Sequence, residues 1–230
     1  MPASNTDTYC LYNVQGSGGM FLMAVWAKVL GLQMDVSISS NGNCHNMGGK
    51  PWEMPTNEVM VVGNHSETCY NGYERKIRII YSHDHILSEI RRDYDNIKII
   101  LTEIHPCEYE AISRMMVTKA CNDLWSEDMY NRIKGADYPL YSHDNVVHSK
   151  IIQDDLIGFT QSSTKKWHAE CDTDADHIIQ FKTIYGLNDI CLADQISDIM
   201  GLTVSDEVRQ FIKAYQSINQ KLYFNGDQNV

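Results

Sequence analysis

No Cys-x-x-Cys pair, no Gly-Lys-Ser/Thr step and no apolar run long enough to cross a bilayer occur in this sequence, and each absence removes a class of protein. The seven cysteines (Cys10, Cys44, Cys69, Cys107, Cys121, Cys171 and Cys191) are odd in number and widely spaced. That excludes a dithiol redox motif and points to reduced thiols in a cytoplasmic compartment rather than to a disulfide framework. The longest apolar stretch, Met20 to Leu32, carries Lys28 and falls short of a membrane span. Met1 to Thr8 is polar, so no secretory leader is expected. Basic residues are also scarce: 19 stand against 30 acidic ones, for a formal net charge of −11. Such a surface repels nucleic-acid phosphates and anionic lipid, so neither nucleic acid nor membrane is an expected partner. Internal repeats and low-complexity tracts are missing as well.

What remains is the composition of an ordinary globular chain, with 43% hydrophobic and 21% charged residues among 230. That length can bury a core without metals or disulfides. With no linker in view, one domain over 1–230 is expected, and a homo-oligomer is compatible with it.

The pattern of elements is α/β. Thr8 to Val14 is rich in aromatic and β-branched residues and reads as a strand. Gln15 to Gly19 is a turn, and Met20 to Leu30 places Phe21, Leu22, Val25, Trp26, Val29 and Leu30 at helical spacing before a stop at Gly31. Further strands are expected at Val36–Ser40, Val59–Val62, Arg75–Tyr81, Lys98–Ile104 and His177–Tyr185, with Asn64–Glu74 a polar, turn-rich connection. Helices are expected at Ile86–Tyr94, from Pro106, over Asn122–Ile133, around Asn145–Ile157, and at about 188–200 and 205–222. This order predicts a mostly parallel sheet with helices on both faces, a three-layer sandwich of the P-loop NTPase type.

The first candidate site is the turn Gly16-Ser17-Gly18-Gly19 between strand and helix. Glycines there let backbone N–H groups approach a phosphate or sulfate at a helix N-terminus. The turn has no lysine, so it is not a Walker A loop. An unliganded tight turn is the plainer alternative. His83, at the end of the strand Arg75–Tyr81, could serve as a general base, or be an ordinary loop histidine. His45, in the loop after the second strand, could line an acceptor pocket at the same sheet edge. The clusters His83-Asp84-His85, His143-Asp144 with His148, and Asp172 to His177 lack the spacing of zinc or calcium sites, and no metal is expected. No Gly-x-Ser-x-Gly elbow is present. Cys44-His45 is a poor thiol–base pair, because adjacent side chains rarely face each other.

Four of these features, in order, resemble the P-loop sulfotransferase family. Gly16-Ser17-Gly18-Gly19-Met20-Phe21-Leu22 resembles its Lys-Ser-Gly-Thr-Thr-Trp-Leu turn, and Tyr81-Ser82-His83 its Lys-Thr-His strand end. The strand Ile97–Ile104 with His105-Pro106-Cys107-Glu108 and Ser113 is similar to the family's strand, Arg-Asx/Pro-x-Asp and serine. Ile178–Tyr185, Ile196–Leu202 and Ser205-Asp206-Glu207-Val208 resemble its closing strand and helices. The likeness covers most of residues 8–224 and is nearest to short, divergent phage and bacterial members.

The resemblance implies transfer of a sulfuryl group from 3′-phosphoadenosine 5′-phosphosulfate to a hydroxyl or amine on a small molecule or glycan. It assigns Gly16, Ser17, Gly18, Gly19, Met20 and Phe21 to the 5′-phosphosulfate, and Ser113, with Arg114 or Lys119, to the 3′-phosphate. His83 would be the base. Gly16 replaces the family's lysine, Ile104 replaces its arginine, Ser113 falls one position late, and the C-terminal Arg-Lys-Gly is missing. Lys50, Arg75, Lys119 or Lys150 would have to supply the lost charge. These departures motivate a second expectation, a non-catalytic binding or structural protein that keeps the fold. A nucleotide-dependent phosphotransferase is a third, weakened by the missing Walker lysine.

Overall fold

The computed structural model describes residues 6–13, 17–31, 37–40, 42, 44–45, 57–62, 65–70, 76–82, 88, 91–92, 97–122, scattered positions between 154 and 169, and 174–224. Its main sheet has six strands: β1 (Thr6–Tyr12), β4 (Asn57–Val62), β5 (His65–Tyr70), β6 (Lys76–Ser82), β7 (Ile97–Glu103) and β8 (His177–Gln180), in the order β4-β5-β6-β1-β7-β8. Strands β6, β1, β7 and β8 run parallel, while β4 and β5 add an antiparallel hairpin at the β6 edge. The chain is thus α/β, with its first strand at the centre of the parallel part.

Burial explains the sequence of the central strands. Tyr9, Cys10, Leu11, Tyr12 and Asn13 are consecutive, and none is more than 3% exposed. Ile99 to Thr102 on β7 are likewise buried without a break. A strand covered on one face alternates between buried and exposed, so an unbroken run means that both faces of β1 and β7 are covered.

Helix α1 (Gly19–Val29) follows β1 and is itself enclosed, with Phe21 to Ala27 all buried. A helix apolar all round belongs inside a core. It ends as its composition requires: Lys28 lies in the last turn, and Gly31 takes a φ of 72°. After β7, His105 caps a 3-10 turn (Pro106–Glu108) that leads into α2 (Tyr109–Asn122). The His105 backbone N–H donates to Glu108 Oε2 at 2.6 Å, while the His105 ring accepts from the Cys107 N–H, a reciprocal cap. The acidic segment before β8 is bound into the fold. Asp176 accepts from the Ile99 N–H at 2.7 Å, and Arg91 lies 3.6 Å from both Asp174 and Asp176.

Three expectations are corrected. The polar stretch 64–74 contains β5, a full sheet member. Ladder hydrogen bonds to neighbours on both sides define that strand, and they leave little trace in hydrophobic pattern. The strand expected over His177–Tyr185 stops at Gln180, where the chain turns into the single-turn helix α3 (Phe181–Ile184). Phe181, Thr183 and Ile184 are then buried together, while Lys182 is half-buried with its ammonium 3.9 Å from the buried Glu108 carboxylate. The strand expected at 36–40 shrinks to β2 (Ser37–Ile38), which pairs antiparallel with β3 (Cys44–His45) in a separate hairpin. Two helices close the chain, α4 (Leu192–Met200) and α5 (Asp206–Asn219), and the hairpin is tied to α5 by Asn219, whose Nδ2 donates to Gly42 O at 3.0 Å.

The closing helices match their sequence signals. Gly201 adopts a φ of 64° after α4, and Ser205 Oγ accepts from the Val208 N–H at the start of α5. Arg209 of α5 reaches Asp194 of α4 at 2.7 Å. The expected helices over 122–133 and 145–157 fall mostly outside the described residues; Ser88, Arg91 and Arg92 are helical within the stretch expected at 86–94. Among the described residues, no helix is long and apolar enough to cross a membrane.

Candidate functional site

Parallel strands bring their C-terminal ends to one edge, and the loops that leave them share that edge. Tyr12, the last residue of β1, is in register with Ser82, the last of β6, and with Leu101 of β7; Glu103 of β7 is in register with Gln180 of β8. The C-terminal ends of β1, β6 and β7, with His105 to Glu108 following β7, therefore lie at the same edge of the sheet.

At the turn, Gly18 is the N-cap of α1 with φ 94° and ψ 15°. Glycine occupies this left-handed region without the steric cost of a Cβ. The Leu22 N–H donates to Gly18 O at 2.9 Å and closes the first helical turn. As in any α-helix, the N–H groups ahead of it have no intrahelical partner, and Gly18 brings no side chain to cap them. A Cβ on Gly18 would lie 2.9 Å from Ile184 Cγ2, 3.5 Å from Tyr185 Oη and 3.6 Å from Tyr215 Oη. The turn is therefore packed closely from α3 and α5, and two phenol oxygens face it.

These two phenols were not legible as site residues. Tyr215 and Tyr185 are hydrogen-bonded to each other at 3.2 Å and are no more than 2% exposed. Burial pushes both hydroxyls above the ordinary tyrosine range. Tyr215 also stacks on Phe21, with ring centroids 3.7 Å apart and planes within 5°. Phe21 and Phe211 stack at 5.8 Å. The side chain of Phe21 is thus a core element joining α1 to α5, and only its backbone belongs to the turn.

The other expected residues are placed as follows. Ser17 is fully buried, Gly19 is buried, and Met20 is half-buried at the helix start. Gly16 and His83 lie outside the described residues; position 83 follows Ser82, whose register partner is Tyr12 beside the turn. His45 sits on β3, in the two-stranded hairpin and away from the main sheet's ladder. Ser113 is fully buried, and its Oγ donates to Tyr109 O at 2.7 Å, one turn back along α2. Ile104, at the position where the resemblance calls for arginine, is fully buried in the core cluster. Arg114 is exposed and pairs with Glu110 at 2.7 Å.

Of the cations expected to substitute, Lys50, Arg75 and Lys150 lie outside the described residues, while Lys119 of α2 is among them. Its ammonium stands 5.8 Å from the Tyr185 ring centroid and 5.1 Å from that of Tyr223, within cation–π range. The positive charges of Lys119 and Lys28 also act on the Cys44 thiol, where burial nevertheless dominates and pushes the pKa up to about 12. Cys10, at the centre of β1, is held at about 12 for the same reason. Neither thiol is a nucleophile near neutral pH.

Among the described residues, no group of three His, Cys, Asp or Glu side chains could hold a metal ion. The clusters around His83 and His143 lie outside the described residues, and Asp174 and Asp176 are engaged by Arg91. Comparison with protein-family models gives no match, and comparison with curated proteins gives none either.

Proposed function

We propose that this protein binds 3′-phosphoadenosine 5′-phosphosulfate at the glycine turn and transfers its sulfuryl group to a hydroxyl or amine of a small-molecule or glycan acceptor. One observation carries this reading. An α-helix with a glycine N-cap in the left-handed region starts directly after the central strand of a parallel sheet, at the edge where open α/β sheets bind ligands. The first-turn N–H groups would receive the phosphosulfate. Lys119 would supply a positive charge in place of the missing lysine and arginine. His83, one residue beyond the end of β6, would take the acceptor's proton. Such a transfer depends on positioning and on stabilising charge rather than on a covalent enzyme intermediate. The fold in this reading is the three-layer sandwich of the P-loop type.

A second reading, a non-catalytic protein that keeps the fold, is favoured by Ile104 and Ser113. The first is core where an arginine is needed, and the second commits its hydroxyl proton to Tyr109.

Calorimetric titration with 3′-phosphoadenosine 5′-phosphate, the stable product of the donor, separates the two. Gly18 is a poor site for the control variant, because any side chain there disturbs packing. Met20→Glu serves better: a carboxylate in the first turn suits the helix dipole yet repels an anionic ligand. Micromolar binding that weakens at least roughly tenfold in Met20→Glu, a loss of about 1.4 kcal/mol, supports the first reading. No heat at millimolar ligand sinks it and leaves the second.

A further inference from the structure

Outside the glycine turn, the C-terminal edge of the sheet carries a second constellation that the reading above does not use. His105 and Cys107 are both exposed, and His105 Nδ1 lies 3.0 Å from Cys107 Sγ. The same nitrogen accepts the Cys107 backbone N–H at 3.4 Å. In the tautomer with Nδ1 unprotonated, its one lone pair is shared between the Cys107 N–H at 3.4 Å and the closer thiol at 3.0 Å, and it can take the thiol proton. The backbone that carries the ring is held by the cap: the His105 N–H is bound by the buried Glu108 carboxylate, which Lys182 approaches to 3.9 Å.

We propose that Cys107 is a nucleophilic thiol with His105 as its base, and that its substrate is a low-molecular-weight disulfide. His105 Nδ1 takes the thiol proton, and Cys107 Sγ attacks one sulfur of the disulfide. That S–S bond breaks as the Sγ–S bond forms. The departing thiolate takes up the proton from the imidazolium. One half of the small disulfide is thereby reduced to a thiol, and Cys107 is oxidised to a mixed disulfide.

The local backbone selects this chemistry over acyl transfer. An acyl transfer needs free N–H groups to hold a developing oxyanion. Here Pro106 has none, Cys107 N–H goes to His105 Nδ1, Glu108 N–H goes to His105 O at 2.8 Å, and Tyr109 N–H goes to Pro106 O. Thiol–disulfide exchange builds no oxyanion and needs only an accessible sulfur and a base.

The probe is 5,5′-dithiobis(2-nitrobenzoate), followed by the colour of the released thiolate, with peptide mapping by mass spectrometry to give a rate for each cysteine. His105→Asn removes the base but keeps a good N-cap side chain, so the helix start is retained. Cys191, also exposed, reports on any global change in the same molecule. Labelling at Cys107 is expected to slow roughly tenfold or more in His105→Asn, with the Cys191 rate unchanged. An unlabelled Cys107 in the native protein, an unchanged Cys107 rate in the variant, or an equal slowing at Cys191 would each overturn the proposal.

Discussion

Replacing Gly18 by alanine tests whether the turn is as tightly packed as its geometry states. Two costs apply. An L-residue at φ 94° is strained, by about 1–2 kcal/mol on the scale for left-handed backbone. The new methyl would also meet Ile184 Cγ2 at 2.9 Å, closer than a methyl can sit, while the two phenol oxygens at 3.5 and 3.6 Å would be in ordinary contact; overpacking against Ile184 costs about 1–3 kcal/mol. The total loss is therefore about 2–5 kcal/mol. Gly31 supplies the control, because it too has a positive φ, 72°, but a Cβ there meets nothing within 4 Å. Gly31→Ala should lose only the conformational part. The entropy that alanine removes from the unfolded chain favours both variants equally and cancels between them. Urea denaturation of the two variants, analysed with a common m-value, should place Gly18→Ala about 1–3 kcal/mol below Gly31→Ala. Equal losses would mean that the turn has room for a side chain, and the steric argument would fail.

Two further perturbations address buried polar groups. Burial raises the Glu108 carboxyl above its ordinary 4.5, against the opposing pull of the His105 N–H and Lys182, so its contribution to stability is full below that value and is lost as pH rises through the folded pKa. Glu108→Gln keeps an acceptor for the His105 N–H, so it should flatten this fall and leave stability at neutral pH unchanged or higher; a loss beyond about 2 kcal/mol would mean that the Lys182 pair outweighs desolvation. Tyr215→Phe keeps the stack on Phe21 but removes the hydrogen bond to the Tyr185 hydroxyl, at a cost of about 0.5–1.5 kcal/mol in equilibrium denaturation. Adding Tyr185→Phe should recover part of that loss, whereas strictly additive losses would show that the two hydroxyls do not couple.

The central part of the fold was readable because its signals are local. Thr8 to Gly31 carries strand, turn and helix composition in sequence, and β7 is a run of apolar residues that only a doubly covered strand tolerates. The helix boundaries at Gly31, Gly201 and Ser205 follow from backbone conformation and capping, which belong to single residues. The β5 strand was not readable, because its residues Ser66, Glu67 and Thr68 are ordered by pairing with β4 and β6. The end of β8 was misplaced for the opposite reason. His177 to Tyr185 is rich enough in β-branched and aromatic residues to read as a strand, and Phe181, Ile184 and Tyr185 are instead buried from a helical turn. In the candidate site, the glycine turn was legible from spacing. Its lining was not, since Ile184, Tyr185 and Tyr215 reach Gly18 from 166 or more positions along the chain. The His105–Cys107 contact was equally hidden, because two residues at that separation face each other only when a cap bends the chain between them.

An acidic chain and a proposed anion site pull against each other, and the range of each effect decides how they combine. At physiological ionic strength the Debye length is about 8 Å. Carboxylates spread over the surface therefore weigh on the approach of an anion more than on its final contacts. Affinity at the turn rests on donors within hydrogen-bond reach and on any cation close by. In the proposed reading the first requirement falls to the backbone N–H groups at the start of α1, where Gly18 brings no side chain to cap them. The second falls to Lys119, whose ammonium lies over the ring of the tyrosine that faces Gly18. Under that proposal, glycine at position 16 and isoleucine at position 104 would cost the site two charges relative to the family the sequence resembles, while the helix start at Gly19 would still present its N–H groups. If Lys119 serves as that cation it would come from α2 rather than from the turn, so the proposed site would place its positive charge differently from the family the sequence resembles.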